Sequence, residues 1–571
     1  MAGLGANRES RPDRRHLRRT RARIGGSTVV GALIALLSGC GGGSGAKAPR
    51  QPEDASLPRA TRGYILISID TLRADHLGCY GYPHPTTPFL DELSRRSTVF
   101  EEAYSQFPST LVSHMSMFTG LHPREHGVLP PNGVLSPAIE TLPEAFQRDG
   151  FRTGGFTDGG FVSGRFGFRR GFDVFVSRDR GRDRRIEGTF RRAANFLAGL
   201  RPGDRFFLFV HTYAVHTPYD APARYREPFW PGPPPPGAIP PTGPDLLRAN
   251  MIAERPPQAV IDWLMASYDA GIRQTDEVLR DFFGTVERLG LARETTVIVT
   301  ADHGEEFMEH GLFNHTQLYR QTLHVPLLVT HPDQRSAVRH PGVVQLVDLA
   351  PTLYELARVR HRGRLPGASL ARLVGHPALP HSGTAWAEAF DGMRAIYRGE
   401  RRQLESLLLF APDPEAWFAR RFAFDTLGGA LAFQARSFLE RRQLTIREGP
   451  KVLARMELTP EWTRVQIAPA TATRLLLDTT GCTIAPAEKD AQEPRCYAFQ
   501  VKGLRLQRVE YYDVSRDPGQ QRELAPGSAS AARRMLRELL AFKPRAVAAA
   551  PPPPPLEPAL RKSLRSLGYV R

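Results

Sequence analysis

Cysteine is scarce, with four residues among 571. That is too few for a disulfide framework to carry the fold. No zinc-finger spacing, RNP signature or recognition-helix pattern occurs, and nucleic acid is not an expected partner. Internal repeats are absent. The apolar run nearest the N-terminus, Ile24–Leu37, has 14 residues and is too short to cross a bilayer comfortably. What is present is ordinary for a globular protein: 41% hydrophobic and 24% charged residues. A chain of 571 residues can bury a large core and hold more than one domain. The net charge of +17 is uneven: residues 1–39 carry eight arginines against Glu9 and Asp13, which leaves +11 for the remainder. That balance suits an anionic substrate or an anionic membrane surface.

The cysteines are informative by position. The short apolar run follows an arginine-rich segment and has the shape of a signal-peptide core. Its ending, Leu37-Ser38-Gly39-Cys40, resembles a bacterial lipobox. This predicts cleavage before Cys40, lipidation of its thiol, and an exported lipoprotein anchored in the cell envelope; an uncleaved signal anchor is the alternative. Export would allow Cys482 and Cys496 to pair. Cys79, in LGCYGY, reads as a small buried filler.

After a Gly-, Ala- and Pro-rich tether over 40–60, order is expected from Tyr64-Ile65-Leu66-Ile67-Ser68-Ile69. This near-continuous apolar run reads as a strand buried on both faces, ending at Asp70. Phe206–Val210, Val297–Thr300 and Val325–Thr330 read the same way. Helical segments lie between strands, among them Pro88 onward (after Thr87), a capping box at Thr141–Glu144, Asp269–Phe283 and Asp348–Ala357. Alternating strands and helices predict an α/β fold with a mostly parallel central sheet flanked by helices. The proline-crowded stretch 222–257 is expected on the surface as a loop or lid. Residues 406–504 read as an inserted α+β subdomain, helical up to about Arg442 and strand-like from Leu444 to Val501. The expected organisation is then signal peptide 1–39, tether 40–60, catalytic domain 61–405, insert 406–504 and a C-terminal return with tail over 505–571.

The chemistry centres on Ser109–Gly120, STLVSHMSMFTG. Helical spacing is expected from Ser113, with Met115, Phe118 and Leu121 at i, i+3, i+6. A hydroxyl at a helix start faces free N–H groups and the positive end of the dipole, where oxyanions bind. The plain alternative is that Thr110 or Ser113 only caps the helix. The ends of the other strands change that balance. Ligands of open α/β sheets bind beyond the carboxyl ends of the strands. Asp70, His211, Asp302 and His303 all sit at such ends. Carboxylates with imidazole suit a divalent metal ion, which would make a hydroxyl usable as a nucleophile.

The stretches YILISIDTLRADHLGCYGY, STLVSHMSMFTGLHPREHGV and VIVTADHGEEFMEHGLFNHTQLYRQTLHVPLLV resemble the sulfatase family of the alkaline phosphatase superfamily. The resemblance runs from about Gly63 to Leu404 and resumes at VEYYDVSRDPGQQREL and LRSLGYV. It implies an alkaline-phosphatase-like fold and a metal (Zn, Mn, Mg or Ca) held by Asp70, Asp302 and His303, with Thr110 in the nucleophile position. It also implies His216 as the histidine that contacts the substrate oxyanion or protonates the leaving group. His315 matches the basic residue that binds the same anion, His211 a nearby support, and His114 the place of an arginine on the substrate side.

Departures from the family pattern bear on the reaction. Sulfatases carry C/S-x-P-S/A-R, whose Cys or Ser becomes formylglycine; here the residues are Thr110-Leu111-Val112-Ser113-His114. Threonine is not a substrate for that conversion, so no formylglycine is expected. The second metal-binding Asp is Thr71 and the following Asn is His303. This is similar to the phosphoglycerol and phosphoethanolamine transferases and some phosphodiesterases. The expected activity is a metal-dependent hydrolase or transferase acting on phosphate esters through Thr110, its substrate an anionic small-molecule, glycan or lipid ester. The alternatives are a sulfuric ester hydrolase without formylglycine and a non-catalytic surface lipoprotein.

Overall fold

A computed structural model describes residues 56–130, 133–177, 186–250, 252, 254–376, 379, 381, 383–389, 393–400, 402–410, 417–418, 421–426, 431–437, 439–461, 463–467, 473–479, 483–484, 496–497, 499–502, 508–524, 530–542 and 564. Asp54–Arg571 make one folded unit. Cys40 and Cys482 lie outside the described residues, and so does the expected Cys482–Cys496 pairing.

In chain order the strands are β1 (Gly63–Ile69), β2 (Thr98–Tyr104), β3 (Arg152–Thr157), β4 (Val174–Ser177), β5 (Phe206–Thr212), β6 (Thr295–Thr300), the short hairpin β7 (Glu306–Phe307) and β8 (Phe313–Asn314), β9 (His324–Thr330), β10 (Val338–Gln345), β11 (Gly383–Glu388), β12 (Arg394–Glu400) and β13 (Gln403–Phe410). β1 is buried along its whole length, as its unbroken apolar run requires. It pairs in parallel with β5 and β6, and β5 continues in parallel to β3 and β4. The register sets Ser68 beside His211 on one side and Thr300 on the other. One residue further along, Asp70 N–H donates to the Thr212 carbonyl at 3.0 Å. The carboxyl ends of β1, β5 and β6 therefore finish at one edge, and the residues that follow them share it.

The fold is the mixed α/β architecture expected, and β9 and β2 are among the strands that differ from expectation. β9 lies between β6 and β2 and runs antiparallel to both. The chain between β6 and β9 stays at the carboxyl edge, folding as β7 and β8, so it re-enters the sheet in reverse. β2, TVFEEAY, was not expected as a strand; it occupies the sheet between β9 and β10.

Beyond β10 the sheet continues through β12, β13 and the strand Arg508–Asp513, all antiparallel, with β11 beside β12. The two parts of the sheet are joined by the single pair Gly342–Glu400. β13 and Arg508–Asp513 are neighbours, so the chain leaves and returns to the sheet at one place. Between them lie two four-stranded antiparallel sheets with a small core of Ala435, Leu444, Ile446, Leu458, Val465, Ile467, Leu475 and Leu477. The helices expected up to Arg442 are strands: Trp417–Phe418, Arg421–Thr426 and Leu431–Ser437 follow β13. Short apolar runs there fit either period, and cross-strand pairing decides for the strand.

Two helices flank β2 along the chain. α1 (Pro88–Ser94) opens with proline after Thr87, as expected. α2 (Thr110–Thr119) is buried at all ten positions and packs under the carboxyl edge. Among the described residues no helix is long and apolar enough to cross a membrane.

Candidate active site

The helix α2 starts three residues earlier than the spacing predicts. Ser109 is extended (φ −157°, ψ 133°) and serves as N-cap, so Thr110 is the first helical residue. Ser113 is not the helix start. It lies within the first turn, where its hydroxyl donates to the Asp302 carbonyl at 2.7 Å and fastens α2 to the loop after β6. The result is a threonine hydroxyl at a helix N-terminus, with the dipole and the first free N–H groups behind it.

Around Thr110 the strand ends converge. Its Oγ1 lies 3.5 Å from Asp70 Oδ1 and 3.4 Å from His303 Nε2. His303 Nε2 is 3.3 Å from Asp302 Oδ2 and 4.0 Å from Asp70 Oδ1. Asp70, Asp302 and His303 are all fully buried. Burial pushes the Asp70 carboxyl well above the usual carboxylate range, and the neighbouring Asp302 pushes it further. Burial likewise raises Asp302. Two carboxylates share one dry place, with no lysine or arginine between them among the described residues.

Such a set fits a divalent cation. The ligand atoms of Asp70, Asp302 and His303 lie within 4.8 Å of one another, as do those of Asp70, His114 and His211. Asp302 Oδ2 and His211 Nδ1 are buried without a hydrogen-bond partner. An orphaned carboxylate oxygen in a native interior calls for an explanation, and a cation supplies one. The His303 Nδ1–H donates to the Gly304 carbonyl at 2.9 Å, which fixes the tautomer and turns a bare Nε2 toward the two carboxylates. Burial pushes His303 down to about 3, so the ring is neutral and able to ligate.

The histidines expected to meet the substrate come together on the open side. His216 Nε2 and His315 Nε2 are 3.4 Å apart. His216 Nδ1 donates to the Thr217 carbonyl at 2.7 Å, and His315 Nδ1 to the Pro108 carbonyl at 3.1 Å. Each Nε2 is therefore an acceptor in the neutral ring. Burial pushes both groups down to about 3. The His315 ring also sits 4.2 Å from that of His303. His211 holds Asp70, Nε2 to Oδ2 at 3.0 Å, in keeping with a supporting place. His114 lies beside the carboxylates, its Nδ1 3.5 Å from Asp302 Oδ2. It is fully buried, with Nδ1 at 2.8 Å from the Thr110 carbonyl and Nε2 at 2.9 Å from Ser68 Oγ. The Nε2 contact braces α2 against β1, while Nδ1 stays within α2's own first turn.

Some features of the site were not found by reading the sequence. Thr71 adopts φ 58°, a left-handed conformation costly for a β-branched residue. The strain is held by Tyr268, whose hydroxyl donates to the Thr71 carbonyl at 2.8 Å and accepts from Arg73 N–H at 2.9 Å. It lets Thr71 N–H donate to Asp302 Oδ1 at 3.2 Å. Glu305 is buried beside the cluster, pushed up to about 8 chiefly by burial, and accepts from the Tyr219 hydroxyl at 3.1 Å. Tyr213 follows the end of β5, with its ring edge-on to that of His211 at 4.7 Å between centroids. Alternation along HTYAVH puts Tyr213 on the face of His211, a signal the sequence does carry.

Comparison with known proteins bears on family and fold. A family model described as Sulfatase matches residues 62–359. Arylsulfatase K of Mus musculus is 37% identical over 111 residues, and that of Homo sapiens 36% over 110. Each match covers 19% of this chain and 20% of the relative, so the chain spans only about a fifth of the length of these relatives. The phosphonate monoester hydrolase of Agrobacterium radiobacter superposes with a TM-score of 0.50 at 16% identity, covering 61% of this chain and 87% of that one. A 2-O GAG sulfatase gives 0.51 at 16%, covering 85% and 91%. A protein solved with its substrate D-glucosamine-2-N,6-O-disulfate gives 0.54 at 15%, covering 85% and 97%. At these identities the structures speak for the fold alone.

Proposed function

The chain belongs to the sulfatase family, and we propose that it is a metal-dependent hydrolase or transferase that cleaves phosphate esters through Thr110. One observation carries this reading. A threonine hydroxyl, which cannot become formylglycine, stands at the start of α2 within 3.5 Å of Asp70 and 3.4 Å of His303.

A bound divalent ion would lower the pKa of the Thr110 hydroxyl and neutralise charge on the ester. Asp70, Asp302 and His303 would hold it. The chain's own residues account for the rest. Thr110 gives up its hydroxyl proton to water, its Oγ attacks phosphorus in line, the ester bond to the leaving oxygen breaks, and a phosphothreonine forms. The helix N-terminus favours the anion that sits there. His216 and His315 flank the leaving side. As neutral rings they take a proton only when an anionic ester arrives beside them and raises their affinity for it. That proton then passes from Nε2 to the departing oxygen. Water or an acceptor hydroxyl attacks the phosphothreonine, and Thr110 Oγ leaves with a proton restored. Positioning and electrostatics supply most of the acceleration in such a transfer.

The test compares p-nitrophenyl phosphate, its diester and p-nitrophenyl sulfate with one purified preparation, together with Thr110→Ala and metal analysis. Phosphate turnover above sulfate turnover, bound metal and an inactive Thr110→Ala protein are expected. Sulfate turnover above phosphate would replace this reading with a formylglycine-independent sulfatase, in line with the sulfatases among the relatives. An active Thr110→Ala variant, or a protein that binds no metal, would overturn it.

Cellular placement is part of the same proposal. Lipidation of Cys40 would tether the enzyme to a membrane of the cell envelope, and radiolabelled fatty acid should mark the wild type but not Cys40→Ala. The segment 406–504 would shape access to the substrate.

A further inference from the structure

Thr71 follows the strand end that carries Asp70, and its backbone faces two partners. The N–H donates to Asp302 Oδ1 at 3.2 Å, and the carbonyl accepts from the Tyr268 hydroxyl at 2.8 Å. The left-handed turn at φ 58° sets these two groups at the angle both bonds need. That conformation is costly for a β-branched side chain. The Thr71 hydroxyl is buried with no hydrogen-bond partner, so the side chain does not secure the turn by a bond of its own. The restraint comes from 197 residues away. Tyr268 lies in the helix Gln258–Arg288 and is fully buried, its ring edge-on to His76 and Phe307 with centroids 5.2 and 5.1 Å away. Its oxygen also accepts from Arg73 N–H at 2.9 Å. One phenol thus fixes the backbone on both sides of Leu72.

What the turn delivers is the orientation of Asp302. Oδ1 accepts from two backbone groups, Thr71 N–H and His303 N–H, the second at 2.9 Å. Oδ2 is left without a hydrogen-bond partner, 3.3 Å from the bare His303 Nε2. His303 N–H moves with Asp302, since the two are adjacent in the chain. The Thr71 bond instead ties the carboxylate to the end of β1, where Asp70 sits. Hydrogen bonds of this kind orient a ligating carboxylate and set how well it binds. A strained turn held by a remote buried phenol has its explanation in that carboxylate.

We propose that Tyr268 is a positioning residue for the metal site: through the Thr71 carbonyl it holds the strained turn that aims Thr71 N–H at Asp302, and so sets the affinity for the divalent ion. The inference rests on the reading of Asp70, Asp302 and His303 as the residues that hold the ion. Without the phenolic hydroxyl, Thr71 relaxes toward an ordinary conformation and its N–H turns away from Asp302. The carboxylate then keeps the His303 N–H alone and can rotate about its own side-chain bonds. Oδ2 is no longer fixed beside His303 Nε2. The ion must reorder that oxygen on binding, and affinity falls. The strain is therefore a device for keeping the ligand in place before the ion arrives.

The experiment titrates metal-free, full-length protein by calorimetry with Zn²⁺, Mn²⁺, Mg²⁺ and Ca²⁺ in turn. Tyr268→Phe, which keeps the ring and removes the hydroxyl, should weaken the tightest of these about 10–100-fold. Unchanged affinity, with or without a lower melting temperature of the metal-free protein, would make Tyr268 a core residue and overturn the proposal. Thr71→Gly keeps the N–H and takes a positive φ at no steric cost, so alone it should hold affinity within about threefold. Its metal-free melting temperature should be at or above that of the wild type, because the strain is gone. A lower melting temperature would show that the turn is not strained, and overturns the proposal even if Tyr268→Phe fails to fold. A large loss of affinity in Thr71→Gly would make the Thr71 hydroxyl itself the group that matters, and also overturns it. Thr71→Gly added to Tyr268→Phe should bind more tightly than Tyr268→Phe alone; no recovery would place the loss in ring packing instead of the turn. A wild type that binds none of the four ions removes the metal reading itself, whereas a wild type and a Tyr268→Phe protein that bind equally remove only the role of Tyr268.

Discussion

Two buried carboxylate sites sit on the same sheet and are treated in opposite ways. On β2, Glu102 is 1% exposed and meets Arg320 through two bonds, 2.5 and 2.9 Å, with the Tyr104 hydroxyl at 2.9 Å. Burial alone would raise its pKa, yet the Arg320 guanidinium holds it below the ordinary value. At the end of β1, Asp70 is fully buried and meets a second carboxylate instead of a guanidinium. Both sites bear the desolvation cost of a buried charge. Only the first is compensated inside the chain. The difference marks which is scaffold and which waits for a ligand: a fold that can pair Glu102 so fully has the means to pair Asp70, and does not.

The sharpest way to test this contrast is to remove the one reactive atom from the uncompensated site. Thr110→Ala should lower kcat on the order of 10⁵-fold, as loss of a covalent nucleophile does, while metal content and melting temperature stay at wild-type values. A comparable loss of metal would mean that Thr110 serves as ligand more than as nucleophile. The next effect belongs to the compensated site. Arg320→Ala leaves Glu102 buried and unpaired, and should cost about 3–5 kcal/mol of unfolding free energy in urea. Replacing Glu102 and Arg320 together by apolar residues should recover most of it. If the single variant is as stable as the wild type, the pair is not a buried scaffold charge and the contrast fails.

The two sites were not equally legible. β1 and its terminal Asp70 stand out because the strand is buried on both faces and reads as one apolar run. Asp302-His303 after β6 is visible for the same reason, and parallel topology alone brings the two together. β2 is hidden by the Glu101-Glu102 pair at its centre. No local pattern announces that Arg339 and Arg320, more than 200 residues away, neutralise them. The direction of β9 depends on the β7–β8 path at the sheet edge, a tertiary fact. The antiparallel strands after β13 were read as helices because short apolar clusters satisfy both periods. Within the site, Thr110 was found through the family motif. Thr71 was named from the family motif, but its strained conformation was not legible, because it is held by hydrogen bonds from its backbone to the distant side chains of Tyr268 and Asp302.

A smaller effect separates the sites by metal. Asp302→Asn keeps the Oδ1 acceptor for Thr71 and His303 N–H groups. It replaces the orphaned Oδ2 with an amide that can donate toward Asp70 and the bare His303 Nε2, 3.3 Å from that oxygen. In chelator, the variant should be at least as stable as the wild type, because like charge has been removed. With metal at a hundredfold its dissociation constant, the wild type should gain about 2.7 kcal/mol and the variant almost none. A variant less stable than the wild type in chelator would show that the carboxylates are structural after all.

The smallest effect comes from histidines that the scaffold, away from the metal cluster, keeps neutral. Burial pushes His122 and His324 down to about 4 and His126 to about 3. The geometry agrees for His126: Nδ1 accepts from Val128 N–H at 3.1 Å, so it must stay bare, while Nε2 lies 3.2 Å from Ser116 Oγ. In the unfolded chain these groups titrate near 6.5. Between that value and the folded values the unfolded state binds more protons, so stability rises with pH there. Stability is thus fully present above about pH 6.5 and is lost as pH falls toward 4. Urea unfolding in chelator from pH 7 to 4.5 should show this acid limb. His126→Gln should flatten it by about one proton, or about 1 kcal/mol per pH unit at most, with no change above pH 7. If the slope is unchanged, His126 is already protonated in the folded protein, and the scaffold shares the incomplete compensation that otherwise distinguishes the site.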